Sequence, residues 1–312
     1  MRVIHYVIVI LVICLLTIGC TGLVKPASQS AAEPKLGDTW RRPGDGMEMV
    51  FEPGGTFSMG SSREMVLHAV ELCKEFTHDQ RATYCRYTGF SDEQPAHTVK
   101  LSSFWLDRHE VTNGQYRACV KAGACIPPLE STSYTRQSYY DDPFFDNYPV
   151  INVQWMMASA YCAWAGARLP TEAEWEYSAR SAEGRLFPWG NNFEKTWLNY
   201  CDARCGFLAD ETFDDGYADT ATVGSFPAGV NWTGALDLAG NVREWVSDNF
   251  GAYPSGKTEN PKGPANGTLK IPRGGSWFDT PDDIRSTNRG GEPLDYYRYN
   301  LGFRCARDTD MK

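Results

Sequence analysis

Arg168-Leu169-Pro170-Thr171-Glu172-Ala173-Glu174-Trp175-Glu176-Tyr177 is the stretch from which the rest of the chain can be read. Thr171 stands where a helix N-cap is wanted, and Glu174 follows at the spacing from which a carboxylate reaches back to the N-cap amide. The run therefore predicts a helix from Thr171 to about Ala179. Upstream, Asn152 to Trp164 places Val153, Met156, Met157, Ala160, Tyr161 and Trp164 on one helical face, and Gly166 ends it. A third helix is predicted to open at Thr112, run to Lys121 and close at Gly123. Strand-like pieces are short: Met49 to Phe51, Thr56 to Met59, His97 to Leu101 and Phe104 to Asp107. Gly, Pro, Asn and Asp punctuate the remainder, so the expected domain is irregular and needs stapling by something other than large sheets.

Composition agrees. Hydrophobic residues make up 42% and aromatics 13% of the 312 residues, enough for a packed core, while 29 Gly and 18 Pro point to a loop-rich α+β domain. A formal charge of -9 leaves no basic footprint, so nucleic acid is excluded as an expected partner.

The first residues have a separate reading. Arg2 precedes an apolar run from Val3 to Ile18, with Gly19-Cys20 after it, the pattern of a signal peptide over 1–19. The clean apolar core, Val7 to Ile18, is short for a membrane span, which needs about 20 residues. Leu16-Thr17-Ile18-Gly19-Cys20 resembles a bacterial lipoprotein box, which implies a lipidated Cys20 as mature N-terminus and a membrane partner through that lipid. Thr21 is not the Asp that retains lipoproteins at the inner membrane, so a periplasm-facing, outer-membrane location is expected. Residues 20–45 read as lipidated cysteine and flexible tether, and 46–309 as a single folded domain without a second linker.

Beyond Cys20 eight cysteines remain, an even number in an exported chain, which implies disulfides. Sequence neighbours pair Cys73 with Cys85, Cys119 with Cys125 and Cys201 with Cys205, leaving Cys162 and Cys305 to each other.

Several segments, in order, resemble the formylglycine-generating, or sulfatase-modifying factor, family. They are Gly54 to Gly60, Pro95 to Leu101, Glu110-Val111-Thr112-Asn113, Pro149 to Trp155, Tyr161-Cys162-Ala163-Trp164-Ala165-Gly166 and the opening Arg168 to Tyr177 run. Pro188-Trp189-Gly190, Gly240 to Trp245, Arg273 to Trp277 and Asn300 to Arg304 complete the set. The resemblance implies a variant of the C-type lectin-like fold with little regular secondary structure. It also implies a disulfide between Cys162 and Cys305, and it leaves 61–92 as a cystine-closed insertion with a helix over Arg63 to Phe76.

Active members of that family oxidise a substrate cysteine to formylglycine with copper held by two thiolates just after the Gly-Gly-Ser segment. Soft monovalent copper needs those sulfurs. Here Ser276 to Arg289 contains no cysteine, and the two positions fall on Pro281 and Ser286. Copper is therefore not expected. Nor is the histidine-held iron of a related branch: His5 lies in the signal, His97 in a structural segment, and His68 and His78 are not spaced to share a helical face.

Calcium is the expected metal. It takes roughly six to eight oxygen ligands, often from loops. The family's Asn-x-x-Gly-x-x-x-Glu loop is matched by Asp237 to Glu244, implying ligation by Asp237, Gly240, Val242 and Glu244. A second site is implied at Asn199, Tyr200, Asp215 and Tyr217.

These readings make the chain a non-catalytic, calcium-stabilised binding or assembly module, with a metal-dependent oxidoreductase as the alternative. Its former active-site groove is expected at Phe278 to Ile284, with Asp279, Asp282, Asp283, Arg285, Arg289 and Asn300. Three aspartates make that groove acidic, favouring a basic or hydroxyl-rich peptide, glycan or protein partner.

Overall fold

The computed structural model describes residues 33–77, 85–206, 210 and 212–309. In chain order the elements are β1 (Thr39–Arg41), β2 (Glu48–Glu52), β3 (Gly55–Met59), α1 (Arg63–Thr77), β4 (His97–Leu101) and β5 (Phe104–Asp107). Then come α2 (Asn113–Lys121), α3 (Trp155–Trp164), α4 (Glu172–Arg180), β6 (Arg243–Asn249), β7 (Thr258–Glu259) and β8 (Leu269–Arg273). Last are β9 (Glu292–Pro293), β10 (Leu301–Gly302) and β11 (Ala306–Asp308).

The strands form three small sheets, ordered β1-β2-β5-β11, β10-β6-β8-β9 and β3-β4-β7. The first is antiparallel throughout, and Leu106 pairs with both Val50 and Ala306. Strands this short cannot make a core alone, so helices and loops complete it. One apolar cluster joins α2 and α3 through Tyr116 and Tyr161 to Trp245 and Phe303. The second wraps Trp175 of α4 with Phe57, Leu106, Val246 and Ile271. The result is α+β and loop-rich.

The helix ends follow from their caps. Thr171 Oγ1 accepts from Glu174 N at 3.1 Å, and Glu174 Oε2 accepts from Thr171 N at 2.8 Å, a reciprocal capping box. Thr112 and Gln115 do the same for α2. All eight described cysteines are joined as the neighbour spacing predicts: Cys73–Cys85, Cys119–Cys125, Cys162–Cys305 and Cys201–Cys205.

The stretch taken as tether to Asp45 enters the fold earlier: Thr39–Arg41 pairs with β2, and Arg42 is fully buried between Asp45 at 2.6 Å and Asp107 at 2.7 Å. Polar composition concealed this because the segment is held by one sheet edge, an ion pair and a single apolar side chain, Trp40 against Trp105. The helix read from Asn152 starts only at Trp155, since Asn152 adopts a left-handed φ of 58° and donates its side-chain amide to Thr132 O. Strands β6 and β8 were not predicted, because both faces are largely buried and their residues do not alternate. The signal peptide and Cys20 lie outside the described residues. Among those described, no helix is long and apolar enough to cross a membrane.

Candidate functional site

The segment after β8 is shaped by Gly275, whose φ is +67° and whose missing Cβ would fall 2.9 Å from the Ile284 Cα. Only glycine permits that turn, which brings Ser276 to Arg289 back on itself. Ser276 Oγ donates to Asp279 Oδ2 at 2.5 Å and accepts from Asn300 Nδ2 at 2.8 Å. Arg243 clamps the same Asp279 through two bonds, 2.9 Å from Nε and 2.5 Å from Nη2. Burial opposes ionisation of Asp279, but Arg243 outweighs it and holds the carboxyl below its ordinary value. Arg285 forks onto Glu93 at 2.6 and 3.0 Å, and Arg289 onto Glu172 at 2.7 and 3.0 Å.

The expected open acidic groove is therefore corrected. Asp279, Asp282, Arg285, Arg289 and Asn300 are all buried, and each is engaged within the chain. Asp283 is half-buried and accepts from Asn288 Nδ2 at 3.3 Å, with its pKa raised to about 7 by burial and by its neighbours Asp282 and Asp279. What opens beside Asp279 is a cavity of only ≈50 Å³, bounded by Arg243, Phe278, Tyr296, Arg298 and Asn300. Counting acids in the sequence overlooked Arg243, which arrives from β6 to hold Asp279, and the distant Glu93 and Glu172, which hold Arg285 and Arg289.

An aromatic rim borders this segment instead. Tyr134, Trp277, Phe278 and Tyr299 interlock with ring centroids 5.2 to 6.1 Å apart, and Arg298 lies over Tyr299 at 5.2 Å. Trp277 Nε1 is buried without a hydrogen-bond acceptor. Tyr134, far off in sequence, offered no signal that it belonged here. Pro281 and Ser286 are both buried; Ser286 N donates to Leu186 O at 2.9 Å.

The two loops read as calcium sites are rich in buried oxygen. Gly240 has φ +80°, and a Cβ there would meet the Asn199 carbonyl at 2.1 Å, so glycine alone lets the two loops touch. In the first loop Asp237 Oδ2 accepts from Gly224 N at 2.6 Å, while Glu244 is forked by Arg304 at 2.6 and 2.7 Å and accepts from Trp175 Nε1. Asn241 connects this loop to Glu110, whose Oε2 is buried and has no donor. Burial and the nearby Asp237 push the Glu110 carboxyl well above its ordinary range. In the second loop Asn199 Oδ1 and Asp215 Oδ2 are likewise buried without donors. Tyr200 OH donates to Asp210 at 2.8 Å, and Tyr217 N to Asp215 Oδ1 at 2.8 Å. The sequence reading missed Asp202, whose carboxylate lies with those of Asp214 and Asp215 so that their oxygens fall within 4.8 Å of one another. It also missed Glu110, which looked like part of a fold motif.

Among the histidines, His68 is exposed on α1, His97 Nδ1 lies 3.1 Å from Pro95 O and His109 Nδ1 2.8 Å from Glu110 O. His5 and His78 fall outside the described residues.

Two larger clefts flank the N-terminal end of α4. One, of ≈650 Å³, runs from Trp155 and Ser159 past Arg168 to Asn260 and Lys262. The other, of ≈540 Å³, is lined by His97, Glu172, Asp248, Tyr253 and Arg289. Neither was foreseen from the sequence, because the loop 260–264 that walls both has no periodic pattern.

Comparison with known proteins places this geometry. A family model described as the sulfatase-modifying factor enzyme 1-like domain matches residues 37–309. The formylglycine-generating enzyme of Mus musculus is 31% identical, with 93% of this chain and 82% of that protein covered. The inactive C-alpha-formylglycine-generating enzyme 2 of the same organism is 39% identical over a shorter match, 51% of this chain and 48% of that protein. Among solved structures, PvdO from Pseudomonas aeruginosa superposes with a TM-score of 0.67 at 27% identity, covering 88% of this chain and all of that one.

Proposed function

The chain belongs to the sulfatase-modifying factor family, and we propose that within it the protein is a non-catalytic binding or assembly module, stiffened by calcium and exported on a lipid anchor. One observation carries this reading: Ser276 to Arg289 contains no cysteine, and all eight described cysteines are engaged in disulfides. By the family resemblance the copper thiolate positions fall on Pro281 and Ser286. Proline offers no donor, and a serine hydroxyl is a hard oxygen that monovalent copper does not prefer. These residues do not fit the copper ion of the active enzymes, so no step through it is derived. A relative that is itself named inactive supports the same reading.

The donor set for calcium fits better. Asn199 Oδ1 and Asp215 Oδ2 are buried oxygens in need of a positive partner, with the carbonyls of Tyr200 and Tyr217 as further ligands. At the other loop Asp237, with the carbonyls of Gly240 and Val242, would hold the ion. Glu244 would share its carboxylate between the metal and Arg304, and the orphaned Glu110 oxygen adds negative charge. The metal would act as a structural tie between loops.

Export is supported by four disulfides, which persist in an oxidising compartment. A lipidated Cys20 would tether the domain at the membrane, facing the periplasm, with the outer membrane the favoured location. The partner would be a protein, peptide or glycan, and the compact, internally neutralised 276–289 segment would serve as scaffold for its aromatic rim.

The test is oxygen consumption by the purified chain supplied with copper or ferrous iron and a cysteine-containing sulfatase-motif peptide. The expected rate equals that of the metal alone. Turnover above that control, abolished when the peptide cysteine is replaced by serine, would overturn the non-catalytic reading.

A further inference from the structure

The ≈650 Å³ cleft beside α4 has the size of a small-ligand site and is built from residues that the family's copper and calcium chemistry leaves unused. Its charged floor is rigid. Arg168 donates from Nε to Asp308 Oδ1 at 3.0 Å, from Nη1 to Glu174 Oε2 at 2.7 Å and Leu169 O at 3.2 Å, and from Nη2 to Glu174 Oε1 at 2.7 Å and to Asp308. All five guanidinium donors are thus engaged, and the arginine acts as a clamp that fixes two carboxylates. An anionic ligand would find carboxylates here and no free fork to receive it.

A cationic ligand fares no better. The aromatic wall is Trp155, and the Lys270 ammonium already sits 3.8 Å from its ring centroid. A second cation on that indole would meet like charge. The Trp155 Nε1 donates to Val246 O at 2.7 Å, so the ring offers the cleft only carbon surface. Around that surface stand small polar groups. Ser102 Oγ accepts from Asn260 Nδ2 at 3.1 Å, and among the described residues Ser159 Oγ, Lys262 Nζ and Asp308 Oδ2 make no hydrogen bond. The lining holds two cations, Arg168 and Lys262, against two anions, Glu174 and Asp308, so its formal charge is zero.

A carbon-faced ring, fixed carboxylate acceptors, hydroxyl and ammonium donors and no net charge together match a ligand whose groups each donate and accept while its ring C–H faces are apolar. We propose that this cleft binds a neutral oligosaccharide, at a place separate from the 276–289 segment. The proposal rests on the binding-module reading and names its ligand class.

The test titrates the purified chain with cellotriose, chitotriose and mannotriose by calorimetry, with a sulfated heparin trisaccharide as charged control. At least one neutral trisaccharide is expected to bind saturably with a Kd of about 1 mM or tighter. Ser159→Arg, which fills the cleft from a helix surface, and Asn260→Gly, which keeps the left-handed backbone while removing the amide, should each weaken it by about tenfold, a loss of about 1.4 kcal/mol. Their melting temperatures should stay near the parent value, which separates lost binding from lost folding. No saturable neutral binding, tighter binding of the sulfated control, or binding indifferent to both variants would overturn the proposal. Oxygen consumption reports separately: turnover together with cleft-dependent glycan binding would sink the non-catalytic reading and leave this site standing.

Discussion

Asp248 accepts from Glu172 N at 3.0 Å and from Ser247 Oγ at 2.8 Å, yet it stands beside the carboxylate of Glu172 in a buried place. Burial first, and Glu172 second, push its pKa from 3.8 to about 7. The folded chain thus keeps a proton that the unfolded chain releases near pH 4. Stability from this group is complete below that pH and is lost as pH rises towards 7. Glu52, also raised to about 7 by burial, adds to the same slope. Asp248→Asn keeps both accepted hydrogen bonds and removes the charge. Its urea stability should therefore fall less than the parent's between pH 5 and pH 8, by an amount on the order of a few kcal/mol. Parallel pH profiles for the two proteins would refute the assignment. At this scale three cysteine pairs were legible because closely spaced partners need few residues to meet, and the fourth, Cys162 with Cys305, was what remained. The acid–arginine pairs were not, since Glu93 finds Arg285 and Glu172 finds Arg289 only through the tertiary fold.

Helix α4 ties local sequence signals to both clefts. Its capping box orients Glu174 towards Arg168 and presents Glu172, in the same first turn, to Arg289. A change at the cap therefore loosens two ion pairs as well as the orphan amides it satisfies. Thr171→Ala should cost about 1 to 2 kcal/mol in urea unfolding, and Thr171→Ser should recover most of it. A Thr171→Ala protein as stable as the parent would show that tertiary packing alone sets this helix. The cap was readable because N-cap and N3 residues act within one turn. The strands β6 and β8 were unreadable because they owe their state to neighbours: Trp245 pairs with Pro272, and both lie in the interior. The same dependence on context explains why Asn152, favourable as a helix N-terminus in sequence, instead turns left-handed to hold the loop at Thr132.

At the scale of the whole molecule, the three small sheets and four α-helices of the described residues leave long irregular stretches that must be fixed by cross-links. The Cys162–Cys305 bridge spans 143 residues and joins α3 to the C-terminal strand region. A loop of that size stabilises by roughly 5 kcal/mol in the chain-entropy account. It does not reach the loops of Asn199 and Asp215, however, where Asn199 Oδ1 and Asp215 Oδ2 are buried without donors. Unpaired oxygens of this kind each cost about 1 to 3 kcal/mol if nothing positive meets them. A calcium ion that binds only the folded chain would remove that cost and add binding energy by mass action. Chelation by EGTA should accordingly lower the melting temperature by several degrees. Added calcium should restore it, and magnesium, with its strict octahedral demand, should not. An Asn199→Ala, Asp215→Ala double variant should melt near the chelated parent and respond less to EGTA. If the parent melts at the same temperature with and without chelator and elemental analysis finds no calcium, both loops are held by protein contacts alone.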